Sequence, residues 1–199
     1  MKSLTAATAT AILLSFATPA AAQDALHAGV REHDGFFLQL QYLVGYQDLY
    51  DDSLSISGPG SGFRLAIGGT PIRNFVVFGE LYGQAVLNPK VELFGRTTTA
   101  DDAALTVVGI GPGVGYYFGD SGVFLNGALS FASAQLEGPG ATSRARGGGA
   151  RLGLGKEWWV SDQWGLGFAG NVAYTAVADD ISDDFNTLAF SLAFSATYH

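Results

Sequence analysis

The chain has 199 residues, no cysteine, 28 glycines and a formal net charge of −8. That length allows one domain or two small ones. The missing cysteine excludes disulfides, thiolate metal sites and an anchor through a lipid-modified cysteine, and the acidic balance argues against a nucleic-acid partner.

In chain order, the first element is a targeting segment. Lys2 is followed by the apolar stretch "LTAATATAILLSFATPAAA", which ends in small residues. This is the pattern of a secretory signal peptide, with cleavage expected between Ala22 and Gln23. Residues 23–34 are expected to form a short periplasmic segment, and 35–199 a single domain. Hydrophobic residues reach 48%, yet no internal run approaches the ~18 apolar residues of a spanning helix. Instead, period-two alternation fills the chain after residue 34. It marks eight segments: 35–47, 61–69, 75–88, 103–118, 122–136, 148–160, 164–177 and 186–199. The connections after the second, fourth and sixth are tight: "TPIRN", "GDSG" and "SDQ". Those spanning 48–60, 89–102, 137–147 and 178–185 are longer. An even number of strands, with short turns at one end and longer loops at the other, predicts an all-β, eight-stranded antiparallel up-and-down transmembrane barrel.

The two faces of each segment support this. In the last segment, Leu188, Phe190, Leu192, Phe194, Ala196 and Tyr198 oppose Thr187, Ala189, Ser191, Ala193, Ser195 and Thr197. In the seventh, Trp164, Leu166, Phe168, Val172 and Tyr174 oppose Gly165, Gly167, Ala169, Asn171 and Thr175. One face is large and apolar; the other is small or polar but carries too little charge for a water-facing surface. A soluble β-protein puts its bulky side chains inward. Here the reading is inverted: the apolar face meets lipid and the small face lines a narrow lumen, in a closed ring that satisfies every backbone hydrogen bond.

The stretch "GIGPGVGYYFGDSG" places glycines at 109, 111, 113 and 115 on one face. An eight-stranded barrel is only just wide enough inside for side chains, so glycine there relieves crowding. Neither G-x-G-x-x-G nor a Walker G-K-[ST] occurs, which argues against a phosphate loop. Pro112 removes a ladder donor, and a bulge or irregularity is expected beside it. A two-residue loop at Asp120-Ser121 makes facing residues of the fourth and fifth segments sum to 241, so Gly115 is expected opposite Asn126.

The signal peptide, the eight alternating segments, the glycine-rich inner face and the aromatic final segment together resemble the small eight-stranded outer-membrane β-barrel family. That group includes the OmpA transmembrane domain and OmpX-like proteins. The stretch "GPGVGYYFGDSGVFLNGALSF" carries the likeness best. The resemblance implies a final strand read by the barrel-assembly machinery, here Phe190, Leu192, Phe194 and Tyr198, with His199 as a departure after the aromatic residue. It further implies residence in the bacterial outer membrane among lipids and lipopolysaccharide.

Four groups of residues are candidates for function. Inward parity, with a turn centred on Ile72, puts Arg64 opposite Glu80; Arg151 and Glu157 point inward too and are candidates for the same lumen ion-pair network. Acidic doublets at Asp51-Asp52, Asp101-Asp102, Asp179-Asp180 and Asp183-Asp184 fall in the longer connections, either as solvated loop tips or as holders of divalent cations beside lipopolysaccharide phosphates. Arg144 and Arg146 are candidates for contacting those phosphates directly. Phe75, Tyr116, Phe118, Trp158, Trp159, Trp164 and Tyr198, with Tyr117, are expected in an aromatic girdle at the periplasmic rim. The histidines, His27, His33 and His199, are expected to be terminal and solvated, so no catalytic constellation is expected. No cofactor or metal is expected, and the chain is expected to be a monomer. The role expected is structural or surface interaction around a largely plugged lumen. The alternative is a narrow pore or carrier for small or hydrophobic solutes, and loop-mediated adhesion is a third class.

Overall fold

A computed structural model describes residues 31–51, 54–138, 141–178 and 184–199. Ten strands follow one another: β1 (Gly35–Tyr50), β2 (Leu54–Ile72), β3 (Phe75–Leu87), β4 (Lys90–Leu93), β5 (Arg96–Thr99), β6 (Ala104–Tyr117), β7 (Val123–Gly138), β8 (Ala141–Trp159), β9 (Trp164–Ala178) and β10 (Asp184–Tyr198). Eight of them close a ring in the order β1-β10-β9-β8-β7-β6-β3-β2, with β1 pairing back onto β2. Every pairing around it is antiparallel. Closure leaves no free sheet edge, the condition for a β-structure in hydrocarbon.

Alternation sorts the side chains as the composition of the two faces requires. Outward positions hold bulky apolar groups such as Phe63, Ile110, Leu129, Phe131, Leu152, Phe168 and Leu192, each at least 60% exposed. Inward positions are filled by Gln39, Arg64, Glu80, Asn126, Arg151 and Glu157, each at most 5% exposed, together with small or apolar side chains. A water-soluble monomer rarely shows an apolar patch beyond a few hundred Å², whereas a continuous belt on all eight strands suits acyl chains.

The start of β1, the end of β10 and the short turns lie at one end, termed the lower end here. At the upper end, three connections are shorter than expected because the strands run on. β1 continues to Tyr50, β2 begins at Leu54 and β8 begins at Ala141. The fourth, 89–102, folds into the β4–β5 hairpin, which pairs with the start of β2. Its two turn residues, Phe94 and Gly95, both have positive φ (49° and 76°), the geometry that suits a tight hairpin. These extensions persist because their inward residues form an apolar cluster of Leu49, Ile56, Val86, Leu105, Val107 and Val177 with neighbouring side chains. A membrane strand needs only ~9–11 residues, so the 19-residue β2 and β8 carry the wall past the apolar belt.

Two register expectations are met and a third is corrected. Gly115 pairs with Asn126 as the β6–β7 turn requires. Beside Pro112 the expected irregularity is an interruption and not a bulge: pairs on either side keep one register (Ile110 with Phe131, Gly113 with Ala128), and the intervening pairing with β7 is missing. In the β2–β3 hairpin the turn sits at Arg73-Asn74, with Asn74 at φ 68°, and the register shifts between Gly69 and Ile72. Glu80 therefore pairs with Ala66, and Arg64 with Tyr82. A displacement of two residues keeps the parity, so both charged groups still point inward.

The glycine row has a steric cause. A Cβ on Gly113 would come within 2.3 Å of the Phe78 ring, and one on Gly109 within 2.4 Å of the Tyr82 ring. Large rings from β3 lie over the facing glycines of β6, which make the room for them.

Candidate functional site in the lumen

The lumen is filled layer by layer by side chains that alternation aims inward. In the middle, Arg64 on β2 donates from Nε to Glu80 Oε2 on β3 at 2.7 Å. Arg151 on β8 donates from Nη2 to the same oxygen at 2.6 Å, and from Nη1 to Asn126 Oδ1 at 2.7 Å and Asn171 Oδ1 at 3.1 Å. All three charged side chains are essentially inaccessible. The Arg64 guanidinium also lies 5.1 Å from the centre of the Phe78 ring, a cation–π arrangement.

Gln39 joins this layer to the one below. Its Oε1 accepts from Arg64 Nη1 at 2.5 Å, and its Nε2 donates to Glu157 Oε1 at 3.1 Å. Glu157 Oε1 also accepts from Ser195 Oγ at 3.0 Å and from the Thr197 hydroxyl, while Oε2 accepts from the Tyr117 hydroxyl at 3.0 Å. A buried carboxylate is tolerable only when its lone pairs are met in this way.

Below Glu157 the lumen is capped by rings. His33 stacks on Tyr117 with centroids 3.8 Å apart, and on Trp159 at 5.0 Å. Its Nδ1 lies 3.2 Å from His199 Nε2, and His199 Nε2 lies 3.9 Å from Glu157 Oε2. Burial pushes the His33 imidazole down to about 3, and the neighbouring His199 acts in the same direction. The segment before β1 is held in place by backbone bonds from Asn74 N to His33 O and from Arg31 N to Asp162 O, both 3.0 Å.

The four lumen candidates named from sequence therefore form one bonded chain, with Arg64, Glu80 and Arg151 in direct contact and Glu157 reached through Gln39. Sequence reasoning missed the lower cap. His33 and His199, expected to be solvated, are 4% and 3% exposed. Tyr117 and Trp159, placed in the girdle by their closeness to the turns, point into the lumen instead. Alternation alone carried that signal, since each is adjacent to an outward residue, Tyr116 and Trp158. The rest of the expected girdle is on the outer face of the lower end: Phe75 pairs with Tyr116, Tyr116 packs edge-on to Phe118 at 5.3 Å, and Trp164 packs edge-on to Tyr198 at 5.5 Å. Trp158 is 52% exposed, with Lys156 Nζ 5.5 Å from its ring centre.

The surface candidates are not brought together as one site. Asp51 caps the β1–β2 turn, its Oδ1 accepting from Leu54 N at 2.8 Å. Asp101 and Asp102 are exposed beside β6, and Asp102 N donates to Asn88 Oδ1 at 3.0 Å. Arg144 donates to Gln135 Oε1 at 2.7 Å. Arg146 is exposed next to a 400 Å³ outward groove that includes Ile110, Phe131 and Ser133. Asp52, Asp179, Asp180, Asp183 and His27 lie outside the described residues, and of Asp184 only the backbone, paired with Ala178, is described. Among the described residues no cluster of three side chains is arranged to hold a metal ion.

No family model matches the chain, and no curated protein does. Among solved structures it is similar to the Neisserial surface protein A, at 16% identity and a TM-score of 0.59, over 82% of this chain and 96% of that one. It is also similar to Ail, the attachment invasion locus protein of Yersinia pestis, solved with the heparin analogue sucrose octasulfate. There the identity is 11% and the TM-score 0.51, over 82% of this chain and 99% of that one. The closed ring, the inverted apolar belt and these likenesses agree: the chain has the fold of the small eight-stranded outer-membrane β-barrels.

Proposed function

We propose that the protein resides in the bacterial outer membrane as a sealed barrel with a structural or surface-interaction role and no chemistry of its own. The observation that carries this reading is the continuous bonded chain from Arg151 through Glu80, Arg64 and Gln39 to Glu157, closed below by His33, His199 and Trp159. It sets bonded charged side chains and stacked rings across the lower half of the lumen, which supports a seal. The start of β1, the end of β10 and the short turns face the periplasm; the β4–β5 hairpin and the extended strands face outward. Arg144 and Arg146, with the exposed acidic residues of that end, are set to meet lipopolysaccharide phosphates and their counter-cations, and the last strand is set to meet the assembly machinery.

Reconstitution into planar bilayers tests the seal. The expected result is no stable single-channel current; a steady conductance would favour the second reading, a narrow pore or carrier for small or hydrophobic solutes. What supports that second reading is the upper half of the lumen, where cavities remain.

A further inference from the structure

On the outer face of the barrel the apolar belt ends one row below Arg146. Along β8 the outward residues run Leu154, Leu152, Ala150 and Gly148 before Arg146; along β7 they run Leu129 and Phe131 before Ser133. Ser133 pairs with Arg146, and Phe131 with Gly148. Arg146 is therefore the first charged outward residue above the belt on its strand. It is exposed, and among the described residues it makes no ion pair. Its neighbour Arg144 is already engaged: it donates to Gln135 Oε1 at 2.7 Å, and Gln135 Nε2 donates to Glu137 Oε1.

Arg146 also lines the outward groove of about 400 Å³, whose apolar wall is Leu81, Val108, Ile110 and Phe131 from three strands. Small residues stand beside that wall. Gly83 pairs with Val108, and Gly148 with Phe131. Missing side chains between bulky ones make the furrow. Leu81 and Val108 also line a second outward groove, of about 680 Å³, further round the belt. Both face hydrocarbon, so a lipid chain is the occupant that fits. The cation at the upper end sets this stretch of belt apart. On the opposite wall, the first charged or amide outward residues above the belt are Asp48 on β1 and Asn186 on β10. They accept from Ser55 and Tyr174 and offer an anion nothing.

We infer that this groove binds one molecule of a phosphorylated, acylated lipid, with its phosphate on Arg146 and one acyl chain against Val108, Ile110 and Phe131. A guanidinium presents a planar fork that matches two phosphate oxygens. The Ser133 hydroxyl, on the residue paired with Arg146, is placed to donate to the same group. The long arginine stem lets the charged head stay at the boundary of water and lipid while its methylenes lie on the apolar wall. The chain as a whole carries a net charge of −8, which repels anions, so the attraction is local to this cation. The inference rests on the reading that the upper end faces lipopolysaccharide, whose lipid anchor has this chemistry. It adds to that reading one groove, one arginine and a stoichiometry of one.

The test is NMR of the full chain in phosphatidylcholine nanodiscs, observing the Arg146 Nε–H group and the Ile110 methyls. Three probes are titrated: diphosphoryl lipid A, the same lipid with both phosphates removed, and its deacylated, water-soluble sugar bisphosphate. Saturable shifts at both sites are expected with lipid A. The sugar bisphosphate should move Arg146 alone and bind at least roughly tenfold more weakly, and the dephosphorylated lipid should leave Arg146 unmoved. Arg146→Gln should weaken lipid A roughly tenfold. Ser133→Trp fills the groove and should abolish the Ile110 response. Arg96→Gln removes an exposed cation from β5 and should change nothing. Heat-modifiable gel mobility establishes that all three variants are folded. Linear shifts, equal losses in Arg96→Gln and Arg146→Gln, or equal binding of the sugar bisphosphate and the intact lipid would overturn the site. Saturable binding weakened equally by Arg144→Gln and Arg146→Gln, with Ile110 silent, would remove the groove and keep the reading of a phosphate-facing end. No response of either arginine to lipid A would remove both.

Discussion

The two halves of the lumen are filled by opposite means. The lower half is packed with charge and hydrogen bonds: Arg64, Glu80, Arg151 and Glu157, with Gln39 as the link and a cap of aromatic rings. The upper half is packed with aliphatic side chains and retains empty volume. Both are built on the same alternation and the same ring of strands, so the difference comes from side-chain chemistry alone. The contrast teaches where specificity and where room reside. A buried charge network holds one geometry because removing any partner strands the others, while an apolar layer tolerates vacancies and altered occupants.

The comparison breaks most sharply at Glu80. Replacing it in Glu80→Gln leaves two buried guanidinium groups without a counter-charge, and a loss of about 3–5 kcal/mol is expected, read from the urea midpoint of folded-state gel mobility. The same variant should raise bilayer conductance above the background of the parent protein. In the upper half, Leu105→Ala removes a fully buried side chain and should lower stability by about 2–5 kcal/mol without any rise in current. If both variants conducted equally, the lower network would not be the seal.

Glycine substitutions sharpen the same picture at smaller amplitude. Gly113→Ala drives a methyl into the Phe78 ring, with an expected loss of about 1–3 kcal/mol. Gly79 points outward with nothing within 4 Å of an added Cβ, so Gly79→Ala should stay within about 0.5 kcal/mol. Equal effects at the two positions would mean that the inner face is not crowded.

The last comparison is the effect of pH on the lower cap. His33 is held neutral, with its pKa down from 6.5 to about 3, amid His199, Glu157 and Arg73. The unfolded imidazole binds its proton more readily than the folded one, so this contribution is fully present above about pH 6.5. It is lost as pH falls towards about 3. Hydrogen exchange at the Asn74 amide, which donates to His33 O, should therefore quicken between pH 7 and pH 4.5 after correction for intrinsic rates. Unchanged protection would mean that the cap does not depend on a neutral His33.

Much of this was legible in the residues. Leu188, Phe190, Leu192 and Phe194 against Thr187, Ala189, Ser191 and Ala193 declare which face meets lipid, because side chains in a strand alternate without regard to what lies elsewhere. The inward orientation of Arg64, Glu80, Arg151 and Glu157 follows from the same local rule. Tyr117 and Trp159 obeyed it too, and were misplaced only when nearness to a turn was allowed to outweigh parity.

What the sequence determined by itself is thus the number of barrel strands, the sidedness of each and the inversion of oil and water that a membrane demands. What only the tertiary structure decided is which inward residues touch: the two-residue slip that sets Glu80 against Ala66, the running-on of β2 and β8, the meeting of His33 with His199 across 166 residues of chain, and the apolar layer above the charges. The reason is that alternation is a property of each strand alone, whereas the height at which a side chain enters the lumen depends on the stagger of every strand around the closed ring.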